Sequence, residues 1–276
     1  LEAALGGTGP LAERVADYRR STEIPPERLA AAIDAFSSAL RDRVRASYPL
    51  PDTETVDYEI VTDKPWSGFN YYRGNYASTV AVNADLKQQM ANLPRLVAHE
   101  SYPGHHTEHC RKELRLVNGL GQTEQTIFLV NTPQCLMAEG LADLALYAVV
   151  GESWGAWAQE IYADLGLRFD GEHAQAVSVA RATLADVRQD AALMLHDKHR
   201  DVDDVVAFLR RWLMVDDARA RQMLRFLSSP LWRAYTSTYV EGYRLLRGWL
   251  DERPADQSLT ARFGRLLDEP LIPSTL

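Results

Sequence analysis

Most of the chain carries apolar residues at the spacing of an α-helix. In residues 25–47, which begin with two prolines, apolar side chains recur every three or four positions, as on one helix face. The same spacing after residue 84 predicts further helices. They are expected at 84–91, 93–102, 104–116, 123–131, 133–150, 153–165, 172–199, 203–214, 216–227, 230–249 and 257–268.

A short region before residue 84 has the alternation of a β-sheet instead. In residues 55–62, apolar side chains alternate with acidic ones, which predicts a strand. Residues 68–83 predict two more strands around Gly74-Asn75, a pair suited to a hairpin turn. The predicted fold class is therefore mainly α with a small sheet (α+β). We expect one domain over 1–276, with a helical lead-in at 1–50, the sheet at 51–83 and a helical region at 84–276.

Composition and charge exclude several classes of partner. The net charge is -8 and the pI about 5.4, and no run of Lys and Arg predicts binding to nucleic acid or to a membrane surface. No apolar run reaches the roughly 18 residues of a membrane helix. Two cysteines, Cys110 and Cys135, favour a reducing compartment, so a cytoplasmic location is predicted. A removed leader stays an alternative because the chain begins with Leu1, and the oligomeric state is not predicted.

Four of the seven histidines lie in one stretch, VAHESYPGHHTEHC, at residues 97–110. Asn92 and Pro94 predict that a helix starts just before it. Glu100 falls on the apolar stripe of that helix, where a carboxylate needs a partner because burying it alone is costly. A metal ion, or a water on a metal, would be such a partner.

The spacing of these histidines departs from H-E-x-x-H, in which two histidines one turn apart chelate one zinc ion. On an unbroken helix His105 would point away from His99, and His106 would lie roughly 10.5 Å further along the axis. Pro103-Gly104 predicts a break that absorbs two residues and places His105 where the second ligand normally stands. His106 is the alternative ligand, and a helix end with solvated histidines is the non-functional interpretation.

A third ligand is predicted in the helix at 133–150, which is apolar nearly all round. Glu139 and Asp143 lie four residues apart on it, and two like charges on one buried face repel each other. Glu139 as a metal ligand, with Asp143 accepting the N–H of a liganding histidine, would satisfy both. Pairing of the two acids with arginines is the alternative.

The motifs H-E-x-x-P-G-H-H at 99–106 and A-E-G-L-A at 138–142 resemble the bacterial family catalogued as domain of unknown function 885. That family is grouped with the gluzincin-type zinc peptidases. The resemblance covers about residues 66–250, and members usually carry further sequence on the N-terminal side. It implies a multi-helix gluzincin-like metallopeptidase domain with the sheet before the metal-binding helix, one Zn²⁺ ion and a peptide substrate.

The resemblance also implies roles for individual residues. His99, His105 and Glu139 would hold the zinc, and Glu100 would be the general base. The E-x-x-x-D spacing is similar to that of thermolysin-like enzymes, where the aspartate orients a histidine ligand, which implies this role for Asp143. The expanded H-E-x-x-G-H of dipeptidyl peptidase III is a further similar case that favours His105.

A peptidase also needs a donor for the developing oxyanion. The family has a Y-x-x-G element similar to Tyr239–Gly242, so Tyr239 is predicted as the donor, with a tyrosine-rich core helix as the alternative. His196, in a Leu-His pair that the family shares, is predicted as a second donor, with a solvated helix end as the alternative. Tyr243 and Arg244 are predicted to contact the substrate.

Aromatic and amide residues surround the predicted strands before the metal helix. In gluzincins the strand at this position binds the substrate backbone as an added strand, which implies substrate contacts for Tyr72 and Asn75; ordinary sheet packing is the alternative. The predicted function is a zinc-dependent peptidase that cleaves peptide bonds through a metal-activated water. The alternative is a non-catalytic helical scaffold or binding protein with a structural or vestigial metal site.

Overall fold

The computed structural model describes residues 1–64 and 66–276, and it is mainly helical with one small sheet, as predicted. The helices are α1 (Glu2–Leu5), α2 (Leu11–Ser21), α3 (Pro26–Ser47), α4 (Leu93–Glu100), α5 (His105–Lys112), α6 (Pro133–Val150), α7 (Trp154–Asp164), α8 (Gly171–Ala182), α9 (Val187–His196), α10 (Val202–Leu213), α11 (Asp217–Ser228), α12 (Thr236–Asp251) and α13 (Leu259–Asp268). A π-helix (Glu113–Asn118) continues α5, and short 3₁₀ turns lie at Thr123–Thr126 and Pro273–Thr275.

The sheet has three strands, β1 (Thr55–Val61), β2 (Gly68–Gly74) and β3 (Ala77–Asn83), in the order β1-β3-β2. β3 is central: it pairs parallel to β1, with Thr55 opposite Ala77, and antiparallel to β2. The predicted hairpin is confirmed, with Asn75 and Tyr76 both at positive φ, 51° and 62°. Positive φ at both central residues gives a turn whose twist matches that of the flanking strands.

The main core forms around α3, α4 and α6. The stripe of α3 predicted from its spacing is buried throughout: Leu29, Ala32, Ile33, Phe36, Leu40 and Val44. It packs with the apolar residues of α4 and α6, and with Leu246 and Leu250 of α12. A second apolar cluster joins α9, α10 and α11, around Ala191, Val205 and Leu209. The α4 helix lies between β2 on one side and α6 on the other.

Several predicted helices differ from the structure. Residues 84–91 form no helix, because the Gln88 carbonyl and the Met90 N–H hydrogen-bond with Ile24 and Thr22 instead of within the segment. Residues 172–199 divide into α8 and α9, and the helix expected from residue 230 begins at Thr236. Residues 123–131 form only one 3₁₀ turn.

No single helix in the described part of the chain is long and apolar enough to cross a membrane; α6 and α7 pass such a test only as a pair, with a bend of 77° between them.

Backbone contact joins α6 and α12. A Cβ added to Gly242 would lie 2.4 Å from the Leu136 carbonyl oxygen, and one added to Gly140 would lie 2.4 Å from the Gly242 carbonyl. Only glycine fits at this distance, so the glycine noted in the middle of the predicted helix marks the crossing point. The crossing places Tyr235 and Tyr239, at the beginning of α12, beside Glu139 and Asp143 of α6.

We expect Gly242→Ala to lower the free energy of unfolding by about 1–3 kcal/mol, because the added methyl group forces two backbones apart. Gly248→Ala on the same helix is the matched control, because a Cβ there meets nothing within 4 Å. That control should be neutral or should stabilise the protein by up to about 1 kcal/mol, the helix-propensity gain. Urea denaturation of both variants checks this, and equal stabilities would contradict the close crossing.

A buried polar network lies beneath α5 and is centred on Glu54. Its carboxylate accepts hydrogen bonds from Arg41 (2.6 Å), Arg45 (3.0 Å), Tyr102 (2.6 Å) and His106 (3.1 Å). Burial alone would raise the pKa of Glu54, but the hydrogen bonds from His106, Tyr102 and the arginines lower it to about 2. The network joins α3, the start of β1 and α5.

We expect Glu54→Gln to lower the free energy of unfolding at pH 7 by about 3 kcal/mol, because the variant breaks a buried charge network. The folded-state pKa of Glu54 lies below its ordinary value of 4.5. The contribution of ionised Glu54 to the free energy of unfolding is therefore complete above about pH 4.5 and is lost as the pH falls toward about 2.

Urea denaturation at pH 7 and about pH 3 should thus show a smaller difference between wild type and Glu54→Gln at the lower pH. Glu59→Gln, at an exposed position of β1, is the control and should match the wild type. If Glu54→Gln lowered the free energy of unfolding equally at both pH values, the ionised state assigned to Glu54 would be contradicted.

Candidate metal centre

The break between α4 and α5 brings the two histidine helices together. The Gly104 N–H donates to the Ala98 carbonyl at 2.9 Å and the Thr107 N–H to the Ser101 carbonyl at 3.2 Å. Each bond spans six residues, whereas an α-helical bond spans four. Two extra residues are thus absorbed, and His105 takes the place one turn after His99. Gly104 is required, because a Cβ there would lie 1.9 Å from the His99 carbonyl oxygen.

Three side chains meet at this point. His99 Nε2 lies 3.4 Å from Glu139 Oε2, and His105 Nε2 lies 3.4 Å from Glu139 Oε1. The two imidazole rings stand edge to face, with centroids 4.7 Å apart. One ligand atom from each of the three residues lies within 4.8 Å of the other two. Two imidazole nitrogens and a carboxylate oxygen lie together, as predicted, and this group could hold a metal ion.

A carboxylate lies at the other nitrogen of each histidine, and at His99 it forms a hydrogen bond. His99 Nδ1 hydrogen-bonds with Asp143 Oδ1 at 3.1 Å, and His105 Nδ1 faces Glu108 Oε2 at 3.9 Å. In a neutral ring, an Nδ1–H that faces a carboxylate leaves Nε2 unprotonated, and its lone pair can then bind a metal ion. Tyr235 completes this outer layer by donating its hydroxyl to Glu139 Oε1 at 2.6 Å.

The charges of the centre act on one another. Burial alone would raise the pKa of Glu139, but His105 and His99 lower it below its ordinary value. Burial alone would lower the pKa of His105, but Glu139 and Glu108 raise it to about 9. Glu139 Oε2 is buried and has no hydrogen-bond partner among the described residues. Such an orphaned carboxylate oxygen is costly unless a cation satisfies it.

Glu100, the last residue of α4, lies beside this group, and its side chain faces the first residue of β2. A Cβ added to Gly68 would lie 3.0 Å from Glu100 Oε1, so the carboxylate faces the beginning of the strand. The end of α4 is tied to β2 by Asn70, whose side chain donates to the Glu100 carbonyl at 2.7 Å. Burial raises the pKa of Glu100, while His99 and His105 oppose the rise.

Tyr239 reaches the centre from α12. Its ring lies 6.2 Å from the His99 ring and 5.4 Å from the Tyr235 ring, between centroids. Burial, with the nearby charges of Glu139 and Glu100, raises its pKa well above the ordinary value. The phenol therefore stays protonated and can donate a hydrogen bond.

The alternative ligand His106 is excluded by its surroundings. It is fully buried, on the far side of α5 from the centre, where its Nδ1 meets Ser78 Oγ at 2.9 Å and its Nε2 meets Glu54 at 3.1 Å. Burial lowers the pKa of His106, so the neutral ring donates to Glu54 and accepts from Ser78. Both ring nitrogens are occupied by the network beneath α5.

The structure places three other predicted residues away from the centre. His196 lies in the last turn of α9, where it hydrogen-bonds with the Leu227 carbonyl at 2.7 Å. Arg244 is engaged on the surface of α12 by Asp186 and Glu241. Tyr243 is 36% exposed on the same helix, one residue beyond the face that carries Gly242 against α6.

Tyr72 and Asn75 lie at the far end of the hairpin from Gly68. Both contact Glu113 of the π-helix: the Tyr72 hydroxyl donates to its carboxylate, and so does the Asn75 N–H, at 3.1 Å. Tyr72 lies four positions after Gly68 along the strand, which is a distance of about 13 Å. These residues therefore anchor the hairpin and lie away from the metal-binding group, and their contact with a substrate stays a prediction.

Two residues of the outer layer were not predicted. Glu108 follows His105 by three positions, which places it on the same helix face, and Lys112 neutralises it at 2.6 Å. The sequence carried this signal in the spacing H-x-x-E-x-x-x-K. Tyr235 precedes Tyr239 by four positions, so the stripe of α12 contained it. What no spacing could show is that its hydroxyl reaches Glu139 across the glycine crossing.

One solved structure similar to this chain is described as that of "the putative lipoprotein from Colwellia psychrerythraea". The two share 16% sequence identity with a TM-score of 0.65. The match covers 97% of this chain and 46% of that chain, so this chain spans less than half the length of that protein. No family model matches the chain, and no curated protein matches it. At this identity the likeness shows the fold alone.

This comparison overturns the predicted cytoplasmic location, because the similar structure is described as that of a lipoprotein. The prediction depended on Cys110 and Cys135, which are both buried and free. Two buried thiols indicate only that these two residues form no disulfide with each other. They carry no information on the compartment, which is why the prediction was wrong.

We expect the purified protein to hold about one divalent metal ion per chain, and His99→Ala, His105→Ala and Glu139→Ala each to abolish stoichiometric binding. Asp143→Asn should weaken metal binding by about 10–100-fold, since it removes the acceptor that orients a ligand. Elemental analysis and metal titration check these expectations.

The control is His196→Ala. His196 is exposed, and among the described residues it hydrogen-bonds only with the Leu227 carbonyl. The variant should retain the metal content of the wild type. Circular dichroism of every variant separates loss of metal from loss of fold. Wild-type protein that takes up no divalent ion on titration would refute the metal site.

Proposed function

We propose that this protein is a zinc-dependent hydrolase that cleaves peptide bonds. The observation that carries the proposal is the buried Glu139 carboxylate, whose two oxygens each face one histidine nitrogen and whose Oε2 has no hydrogen-bond partner among the described residues, with the Glu100 carboxylate beside them. Two histidines and a glutamate are the ligand set of several zinc hydrolases, and three protein ligands leave a position for water or substrate. Zinc, when bound there, would polarise a carbonyl group and acidify a water molecule.

Glu100 is placed to accept the proton of the attacking water. It follows His99 directly in α4, and burial raises its pKa while the charges of His99 and His105 oppose the rise. Its carboxylate faces the start of β2, and the structure shows no hydrogen bond from a described side chain to it. A carboxylate in this position can take a proton from water and pass it to the leaving amine.

Tyr239 is placed to bind the oxyanion that develops on the carbonyl oxygen. Its ring lies near the His99 ring, with centroids 6.2 Å apart, on the α12 side of the centre. A phenol that stays protonated and is held by packing can donate a hydrogen bond without reorganising when charge develops. Tyr235 is engaged by Glu139 and positions that ligand, so the two tyrosines have separate roles.

The position of β2 supports a peptide as the substrate. β2 is an edge strand of the sheet, paired with β3 on one side, and it begins at Gly68 beside Glu100. In the described part of the chain no strand pairs with its other edge. A peptide in extended conformation can hydrogen-bond along such an edge as an added strand, and this would place a peptide carbonyl next to the centre.

The test is hydrolysis of a fluorogenic peptide library by zinc-loaded protein. We expect Glu100→Gln to retain zinc and to lower kcat by about 10²–10⁴-fold, the usual contribution of a general base. Tyr239→Phe should also retain zinc and should lower kcat by about 10²–10³-fold, the effect of removing one oxyanion donor.

Tyr243→Phe, which removes an exposed hydroxyl from the same helix, is the matched control and should match the wild type. Stoichiometric zinc in the wild type without cleavage of any library peptide would refute the peptidase. The helical scaffold with a structural metal site would then be the better account.

A further inference from the structure

The side chains of β2 point alternately to the two faces of the sheet. Asn70 and Tyr72 lie on the face that contacts α4 and the π-helix, where both form hydrogen bonds. Successive side chains of a strand point to opposite faces, so Phe69, Tyr71 and Arg73 lie on the other face, which we call the outer face. One face of β2 is thus tied to the helices, and a separate row of large side chains occupies the other.

The row on the outer face is a continuous aromatic surface. The ring centroids of Phe69 and Tyr71 are 4.7 Å apart, and Trp66, just before β2, lies 5.6 Å from Phe69. The guanidinium carbon of Arg73 lies 5.2 Å from the centroid of the Tyr71 ring. Side chains that already pack on one another lose little further freedom when a ligand binds. We call these three rings the aromatic strip.

The aromatic strip has no large neighbour on either side within the sheet. On the paired side, Phe69 lies opposite Ala81 and Tyr71 lies opposite Thr79 of β3. On the other side, no strand among the described residues pairs with β2, and the Tyr71 side chain is exposed. Side chains that face each other on adjacent strands stabilise a sheet through contact, and aromatic pairs do so well. A strand added at this edge would place its own side chains against Phe69 and Tyr71.

The aromatic strip starts next to the metal centre. β2 begins at Gly68, where an added Cβ would lie 3.0 Å from Glu100 Oε1. Phe69 and Tyr71 follow Gly68 by one and three positions, which are distances of about 3 Å and about 10 Å along the strand. A peptide that pairs with this edge, with its reacting carbonyl beside Glu100, passes both rings within about three residues of the cleaved bond.

We propose that the aromatic strip selects the substrate: the peptide cleaved at the metal centre carries apolar, preferably aromatic, side chains at two alternate positions, which contact Phe69 and Tyr71. This inference rests on the proposed peptidase function. The substrate residue opposite Gly68 adjoins the cleaved bond, and the two selected residues lie one and three positions beyond it on the same side. The residue between them points to the opposite face of the sheet, where the strip makes no contact.

The experiment uses zinc-loaded protein and a peptide that it cleaves, in which each residue near the cleaved bond is changed in turn to Phe and to Ser. For the wild type we expect kcat/KM to be about 3–10-fold higher with Phe than with Ser at the two alternate positions, the usual effect of an aromatic pair. The position between them should show no such preference. Mass spectrometry of the products locates the cleaved bond.

Phe69→Thr should remove the preference at the nearer position, and Tyr71→Thr should remove it at the farther one, because threonine suits a strand but lacks the ring. Tyr71→Phe, which keeps the ring, should keep the preference. Ile60→Thr is the matched control, because Ile60 is an exposed apolar residue on β1, the opposite edge strand of the sheet. This control should keep the preference at both positions.

A readout independent of turnover is calorimetric binding to zinc-loaded Glu100→Gln. The two peptides carry either Phe or Ser at both alternate positions. We expect the Phe peptide to bind about 10–100-fold more tightly, the product of two aromatic contacts, and Phe69→Thr and Tyr71→Thr each to weaken it by about 3–10-fold. Zinc content and thermal unfolding should stay as in Glu100→Gln, so that weaker binding reports the lost ring and not a lost fold.

The other outcomes separate the two proposals. Equal cleavage of all the peptides, or a preference for Phe that Phe69→Thr and Tyr71→Thr leave unchanged, would refute selection by the strip and leave the peptidase standing. A preference at consecutive positions would refute pairing of the substrate along β2. Absence of cleavage, with binding of the Phe peptide that both variants weaken, would refute the peptidase and support the strip as a peptide-binding surface. Absence of cleavage, with equal binding of both peptides, would refute both proposals.

Discussion

The backbone contact between Gly140 and Gly242 determines the geometry of the centre. Glu139 and Asp143 lie on either side of Gly140, and Tyr239 precedes Gly242 by three residues. Where two helices touch through glycines, the side chains next to the contact come within hydrogen-bonding distance of the partner helix. This is why the Tyr235 hydroxyl reaches Glu139 and why Tyr239 packs on His99.

The centre also buries several charged side chains, and residues of the surrounding helices compensate these charges. Glu139 and Glu108 are almost fully buried, and each is compensated by histidines, by Lys112 or by Tyr235. Helix α5 contributes one histidine to each of two groups: His105 contacts Glu139 of the candidate metal centre, and His106 hydrogen-bonds with Glu54 of the network beneath α5. Adjacent histidines in the sequence therefore belong to separate polar systems, the candidate metal centre and the network beneath α5.

The sequence allowed the fold class, the hairpin and the helices α3, α6 and α10 to be predicted, because each has a clear periodicity or a recognisable start. Residues 84–91 were wrongly predicted as helix because their backbone partners lie near residues 22–24, more than sixty positions away. Such long-range pairing leaves no local pattern.

The metal-binding group followed from the types and spacing of His99, His105 and Glu139, helped by the break signal of Pro103-Gly104. Its supporting residues were harder to predict. Tyr235 reaches Glu139 across a helix contact. Tyr72 and Asn75, which were predicted to contact the substrate, hydrogen-bond with Glu113. Sequence gives the residues of one helix face well, but which faces meet is a tertiary property.

The six-residue hydrogen bonds at the break between α4 and α5 separate ligand spacing along the chain from ligand spacing in space. Two short helices, each with its own hydrogen-bonded turns, present the histidines, and the segment 101–104 joins them. Related centres are therefore better sought as two short helices that approach each other than as a string of fixed length, and a search limited to H-E-x-x-H passes over this one.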